Sequence, residues 1–126
     1  FSMDMPKIHE SEYRFCQILW AHEPVTAAEL ARLCLAQLGW KRTTTYTVIK
    51  RLGERGVLKL ENGIVTSLIS KDEAEKSEIE TFVETKFGGS LPAFVAAFTK
   101  HQNLSDRDLD EVQRMIDRLR KGEGPK

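Results

Sequence analysis

Lys41–Gly56, KRTTTYTVIKRLGERG, decides how this 126-residue chain is read. At about 100° per residue, Thr45, Val48, Ile49 and Leu52 share one side of a helix, while Thr43, Thr47 and Lys50 share the other. Tyr46, Thr44 and Arg51 lie on the flanks. Short hydroxyl side chains at a helix start, followed by basic ones, suit a helix whose N-terminal end enters a DNA major groove. Such a helix cannot act alone, so its neighbours decide the fold.

Upstream, helical periodicity begins near Glu10. Phe15, Ile18 and Leu19 share a face that Tyr13, Cys16 and Trp20 broaden, and His22-Glu23-Pro24 ends the segment. Thr26-Ala27-Ala28-Glu29 has the capping-box spacing and opens a second helix through Leu30, Leu33, Cys34 and Leu38, with Gly39 as a left-handed stop. Downstream of Gly56, two β-type runs, Val57–Glu61 and Ile64–Ile69, flank Asn62-Gly63, a preferred two-residue hairpin turn. Three helices followed by a hairpin is the winged-helix order. Tri-helical cores of this kind also serve as protein–protein modules, so an adaptor without sequence-specific DNA binding is the alternative.

After Ser70 the pattern changes. Ser70-Lys71-Asp72-Glu73 is a second capping box, and Ile79, Phe82, Val83 and Phe87 follow on one helical face until Gly88-Gly89. A short apolar helix, Leu91–Phe98, tolerates Pro92 in its first turn. Leu104-Ser105-Asp106 then caps a last helix carrying Leu109, Val112, Ile116 and Leu119. These helices have strong apolar stripes and few residues to bury them against. The expected solution is a second copy of the chain, with Ile79, Phe82, Val83, Phe94, Phe98, Leu109, Val112, Ile116 and Leu119 at the interface. The chain is therefore expected to be mainly α with a small β-hairpin wing. A winged helix-turn-helix DNA-binding domain is expected at 6–70 and a helical dimerisation domain at 71–121. Residues 1–5 and 122–126 are expected to be a tag remnant (Phe1-Ser2-Met3) or frayed ends.

The formal net charge is zero, but the charge is segregated. From Lys41 to Lys59, six bases (Lys41, Arg42, Lys50, Arg51, Arg55, Lys59) face one acid (Glu54), +6 − 1 = +5; from Lys71 onward, ten bases face twelve acids, −2. A local positive patch on a neutral chain suits phosphate contact. Cys16 and Cys34 lie in apolar helical patterns and read as buried small hydrophobes of a reduced, cytoplasmic protein. No signal peptide or membrane span is visible. His9, His22 and His101 lack metal-ligand spacing, Gly88-Gly89 lacks a phosphate-loop pattern, and Asp106, Asp108, Asp110 and Glu111 favour a helix start. With no cofactor motif and no nucleophile–base pair, a non-enzyme is expected.

Taken together, these motifs resemble the penicillinase repressors of the BlaI/MecI type, with the copper-responsive CopY branch as relatives. The resemblance rests on Ser11-Glu12-Tyr13, Ile18-Leu19-Trp20, Val25–Leu30, Gly39-Trp40, Thr43-Thr44-Thr45, Arg51-Leu52, Gly88-Gly89-Ser90, Phe94-Val95, Phe98 and Leu104-Ser105. It implies a homodimeric transcriptional repressor on a palindromic DNA operator. The implied base readers are Thr43, Thr44, Tyr46 and Thr47, with Thr44 read equally as a helix cap. Lys41, Arg42, Lys50, Arg51, Arg55 and Lys59 are the candidates for the DNA backbone.

Three departures matter. Tyr46 stands where relatives commonly carry a basic residue, the wing has Lys59 as its only base, and no Cys follows Cys34, which removes the thiolates of the copper-responsive branch. The resemblance also implies a sensor-linked protease as partner, cutting just before a Phe. The matching bond is Ala97-Phe98, where relatives usually have Asn before the Phe.

Overall fold

A computed structural model describes residues 5–123. Among them, in chain order, are α1 (Glu10–His22), β1 (Val25–Thr26), α2 (Ala27–Leu38), α3 (Arg42–Glu54), β2 (Leu58–Glu61), β3 (Ile64–Ser67), α4 (Lys71–Phe87), α5 (Leu91–His101) and α6 (Asp106–Arg120). The strands form one antiparallel sheet in the order β1-β3-β2, so the protein is a winged helix within a mainly helical chain. The remnant expected at Phe1–Met3 lies outside the described residues, as do residues 124–126. Of the remaining terminal residues, Met5 packs against the core, and Gly122 closes α6 through its N–H to Leu119 O at 3.1 Å.

The chain divides into two compact units, one reaching to Thr81 and the other beginning at Phe82. The division falls inside α4, and Ala74 in the first part of that helix is buried in the core of the first unit, the headpiece.

In that headpiece, Phe15, Leu19, Leu30, Ile49, Leu52, Val57, Leu58 and Val65 are fully buried. Each such side chain contributes about 1.5–3 kcal/mol on leaving water. Cys16 and Cys34 are buried free thiols in the same layer. The tryptophans sit at its edge: Trp40 stacks on Phe15, and Trp20 meets Tyr13 edge-on while its Nε1–H donates to Ile69 O at 2.9 Å.

Local signals explain most element boundaries. Thr26 Oγ1 accepts the Glu29 N–H at 3.1 Å, and Gly39 ends α2 at φ 72°. The reciprocal half of that capping box does not form. The Glu29 carboxylate turns to Arg32, and Thr26 belongs to β1, opposite Ile64. Around Ser70 the box is complete, with Ser70 N–H on Glu73 Oε1 at 2.8 Å and Glu73 N–H on Ser70 Oγ at 3.0 Å.

The hairpin pairs Leu58 with Ser67 and Glu61 with Ile64, and Asn62 and Gly63 take φ 53° and 78°, as the turn requires. The strands are shorter than the β-type runs. The Val57 carbonyl takes the N–H groups of Leu68 and Ile69, which turns the chain out of the sheet.

In the second unit, Ser90 caps α5 through the Ala93 N–H and Ser105 caps α6 through the Asp108 N–H. α5 continues to His101, past the end of the apolar run at Phe98. Phe82, Phe87, Phe94 and Phe98 form a chain of ring contacts at 5.5–6.0 Å. Even so, no residue of α5 or α6 is buried, and Leu109, Val112, Met115, Ile116 and Leu119 all lie open on α6.

Candidate nucleic-acid interface

The inner face of α3 is Thr45, Val48, Ile49 and Leu52, all buried. Anchoring that edge leaves Thr43, Thr44, Thr47, Lys50 and Arg51 exposed and Tyr46 half-buried. Thr47 Oγ1 donates to Thr43 O at 2.9 Å. Its hydrogen is thus spent within the helix, and what it offers outward is a methyl group and an acceptor lone pair. Those match a thymine methyl or a base amino group.

The start of α3 is unlike the other helix starts. Lys41 occupies the N-cap position without a side-chain hydrogen bond, and the first turn contains no acid. Thr44 is not the cap: it is the third residue inside the helix. Elsewhere Thr26, Ser70, Ser90 and Ser105 cap their helices, and Glu12 takes the His9 N–H at 3.0 Å at the start of α1. A helix N-terminus carries partial positive charge, so Lys41 and Arg42 there oppose it by about 0.3–1 kcal/mol each. The result is a helix end with open N–H groups and two cations, which attracts an anion such as a phosphate.

Arg42 is held in place. Its Cζ lies 5.4 Å from the Tyr46 ring centroid, and its Nη2 donates to Tyr46 Oη at 3.3 Å. The other cations differ in availability. Lys50 is exposed, whereas Lys59 on the wing lies 3.4 Å from Glu61. Arg55 pairs with Glu12, and Arg51 Nε approaches the same carboxylate at 3.7 Å. The wing surface beside Lys59 is mainly apolar, with Leu60, Ile64 and Leu68 exposed.

Glu12 was not singled out as a site residue from the sequence. It is 4% exposed, and it ties α1 to the C-terminal end of α3. Burial alone would raise its pKa, but the His9 N–H and the Arg55 guanidinium outweigh that effect and hold the carboxyl below its usual range. Its position three residues after the helix N-cap was a readable local signal. Its partner, 43 residues further on, had none. Nearby, burial and the Glu12 charge push the Cys16 thiol up to about 12.

A family model for penicillinase repressors matches residues 8–118. The chain belongs to the penicillinase repressor family. Members of this family are DNA-binding transcription regulators, not enzymes. The chain is 22% identical to the penicillinase repressor of Staphylococcus aureus over 119 residues, covering 91% of this chain and 94% of that one. It is 25% identical to a 16.5 kDa protein from the ptsI 3′ region of Latilactobacillus sakei over 114 residues, covering 87% and 78%.

In this family member the Ala97-Phe98 bond lies inside α5, with Phe98 half-exposed and its ring 6.0 Å from that of Phe94. Among the described residues no helix is long and apolar enough to cross a membrane, and no three His, Cys, Asp or Glu side chains converge.

Proposed function

We propose that this repressor-family chain acts as a cytoplasmic homodimer on a palindromic DNA operator, with Thr43–Arg51 of each copy in successive major grooves. In such a dimer the half-sites lie about one helical turn apart or a little more. Repression follows from occupying a promoter.

The observation that carries this reading is the start of α3: exposed threonines beside Lys41 and Arg42, on the one helix start among the described residues that has neither a side-chain cap nor an acid in its first turn. Thr43, Thr44, Tyr46 and Thr47 form the reading end. Lys41, Arg42 and Lys50 neutralise the backbone, with smaller shares for Arg51, Arg55 and Lys59 because each has an acidic partner. The exposed stripe of α6 supports pairing with a second copy, and Ile79, Phe82, Val83, Phe94 and Phe98 are assigned to the same proposed interface. Relief of repression by a sensor-linked protease at Ala97-Phe98 belongs to the same proposal. Cutting there would detach α6 from the aromatic cluster after local unwinding of α5.

The test is the salt dependence of binding to promoter fragments. Three exposed cations without an acidic partner per copy, six per dimer, give an expected slope of log affinity against log salt of about −5. Absence of binding at low salt would remove the operator and favour a protein-interaction adaptor.

A further inference from the structure

Arg42 is exposed at the first position of α3, yet it is not a free side chain. Its guanidinium lies over the Tyr46 ring with Cζ 5.4 Å from the centroid, and its Nη2 donates to Tyr46 Oη at 3.3 Å. The counterion release that drives phosphate binding depends on charge, which lysine and arginine supply alike. A cation that reads a base edge needs a defined plane, since an arginine recognises guanine through two parallel hydrogen bonds to O6 and N7.

Tyr46 supplies such a plane one turn along the helix, at the i+4 position where side chains meet. The donor count also allows it: a guanidinium has five N–H groups, and one on Tyr46 leaves enough for a two-pronged contact. The location fits as well, because the first turn of the third helix is the part that meets base edges in this type of docking. The charge of Arg42 opposes the helix dipole in a turn with no compensating acid. That residue therefore stands where it does against local stability.

We infer that Arg42, steadied by the Tyr46 ring, reads a guanine in each operator half-site, and that Tyr46 is its positioning residue and not itself a base reader. The inference rests on the operator reading above and revises two roles within that same site: Arg42 moves from the DNA backbone to a base edge, and Tyr46 leaves the reading set, which keeps Thr43, Thr44 and Thr47. In the first turn of α3, where the other exposed residues are Thr43 and Thr44, this pair supplies the long-range, directional contact.

The experiment selects binding sites from a randomised duplex pool for the full chain, Arg42→Lys, Tyr46→Leu, Tyr46→Phe and the Arg42→Lys/Tyr46→Leu double variant, and measures the salt slope of each. Arg42→Lys keeps the charge, so its slope should match the parent. It should lose a guanine preference of about five- to 150-fold at one position per half-site. Tyr46→Leu should lose the same preference at the same position although Arg42 is intact, and the double variant should lose no more. Tyr46→Phe retains the ring and should keep most of the preference, which separates positioning from any general loss of fold.

Two results would overturn the assignment while leaving the operator in place. One is Arg42→Lys selecting the parental site unchanged, and the other is Tyr46→Leu altering a different position. If the parent chain selects no sequence at all, the operator reading itself fails and this assignment falls with it.

Discussion

In the headpiece the apolar faces of α1, α2 and α3 close on one another around Phe15, Leu30 and Leu52, all with no exposed surface. In the unit that begins at Phe82, four phenylalanine rings touch, but no residue of α5 or α6 is buried and Leu119 is 58% exposed. Both regions have comparably regular helices and comparable caps, so local propensity does not separate them. The difference is the number of elements available to cover each stripe. Two other helices and a sheet cover α3, whereas a segment of about 45 residues has too little chain to build a core unaided. The first unit thus closes its own core, and the second leaves its apolar stripe open.

The strongest challenge to that contrast is a charge on the open stripe. Ile116→Glu should shift the protein to monomer in sedimentation and weaken operator binding by about 100-fold or more, because the second half-site is then no longer tethered. An unchanged sedimentation coefficient would mean that α6 is not covered by a second copy. Leu52→Ala makes the opposite perturbation: it opens a cavity in the closed core and should lower headpiece stability by about 2–5 kcal/mol at any protein concentration. A concentration-dependent midpoint for headpiece unfolding would show that its core also depends on the dimer.

Glu12 sharpens the comparison at the polar level. Glu12→Gln leaves Arg55 without its charged partner and should destabilise the headpiece by about 1–3 kcal/mol at neutral pH. The folded-state pKa of Glu12 is depressed, so the stability it provides is present above the ordinary carboxylate range and is lost as pH falls through the folded value. The gap between parent and Glu12→Gln in denaturant titrations should therefore begin to narrow as pH falls below the ordinary glutamate range, about 4.3, and vanish only below the depressed folded-state value. A gap that persists to lower pH would assign the effect to packing.

Lys50→Ala should reduce the salt slope by about one per copy and lower affinity alike for all sequences, whereas Thr47→Ala should relax one base preference by about 1 kcal/mol. Uniform losses for both would move Thr47 out of the reading set. The smallest expected signal is chemical. Neither buried thiol should react with an aqueous thiol reagent in the native state, Cys16 being pushed up to about 12, and both should react on denaturation.

How much of this was legible follows from how local each signal is. The faces of α3 could be read from a helical wheel because Thr45, Val48, Ile49 and Leu52 recur at helical spacing, and the wing turn because Asn62-Gly63 needs positive φ. Strand β1 could not be read. Val25-Thr26 is only two residues long and is a strand by virtue of its pairing with Ile64 and Val65. The full capping box at Thr26 failed for a related reason, since Glu29 had Arg32 as a competing partner. The tie between Glu12 and Arg55 depends on two helices meeting, which no window of sequence contains. On the candidate interface, the residue types were visible, but the seating of Arg42 on Tyr46 needed side-chain geometry.

The bare start of α3 has a consequence for anyone who would engineer this protein. Lys41 is an easy target for improvement: an aspartate or serine there would supply the missing cap and raise stability by about 0.5–2 kcal/mol. The same exchange removes a cation from the proposed DNA-facing end, and aspartate would place a negative charge against phosphate. A screen that rewards heat resistance would then enrich for proteins that fold better and repress worse. Selection on the promoter would hold the lysine in place against that drift.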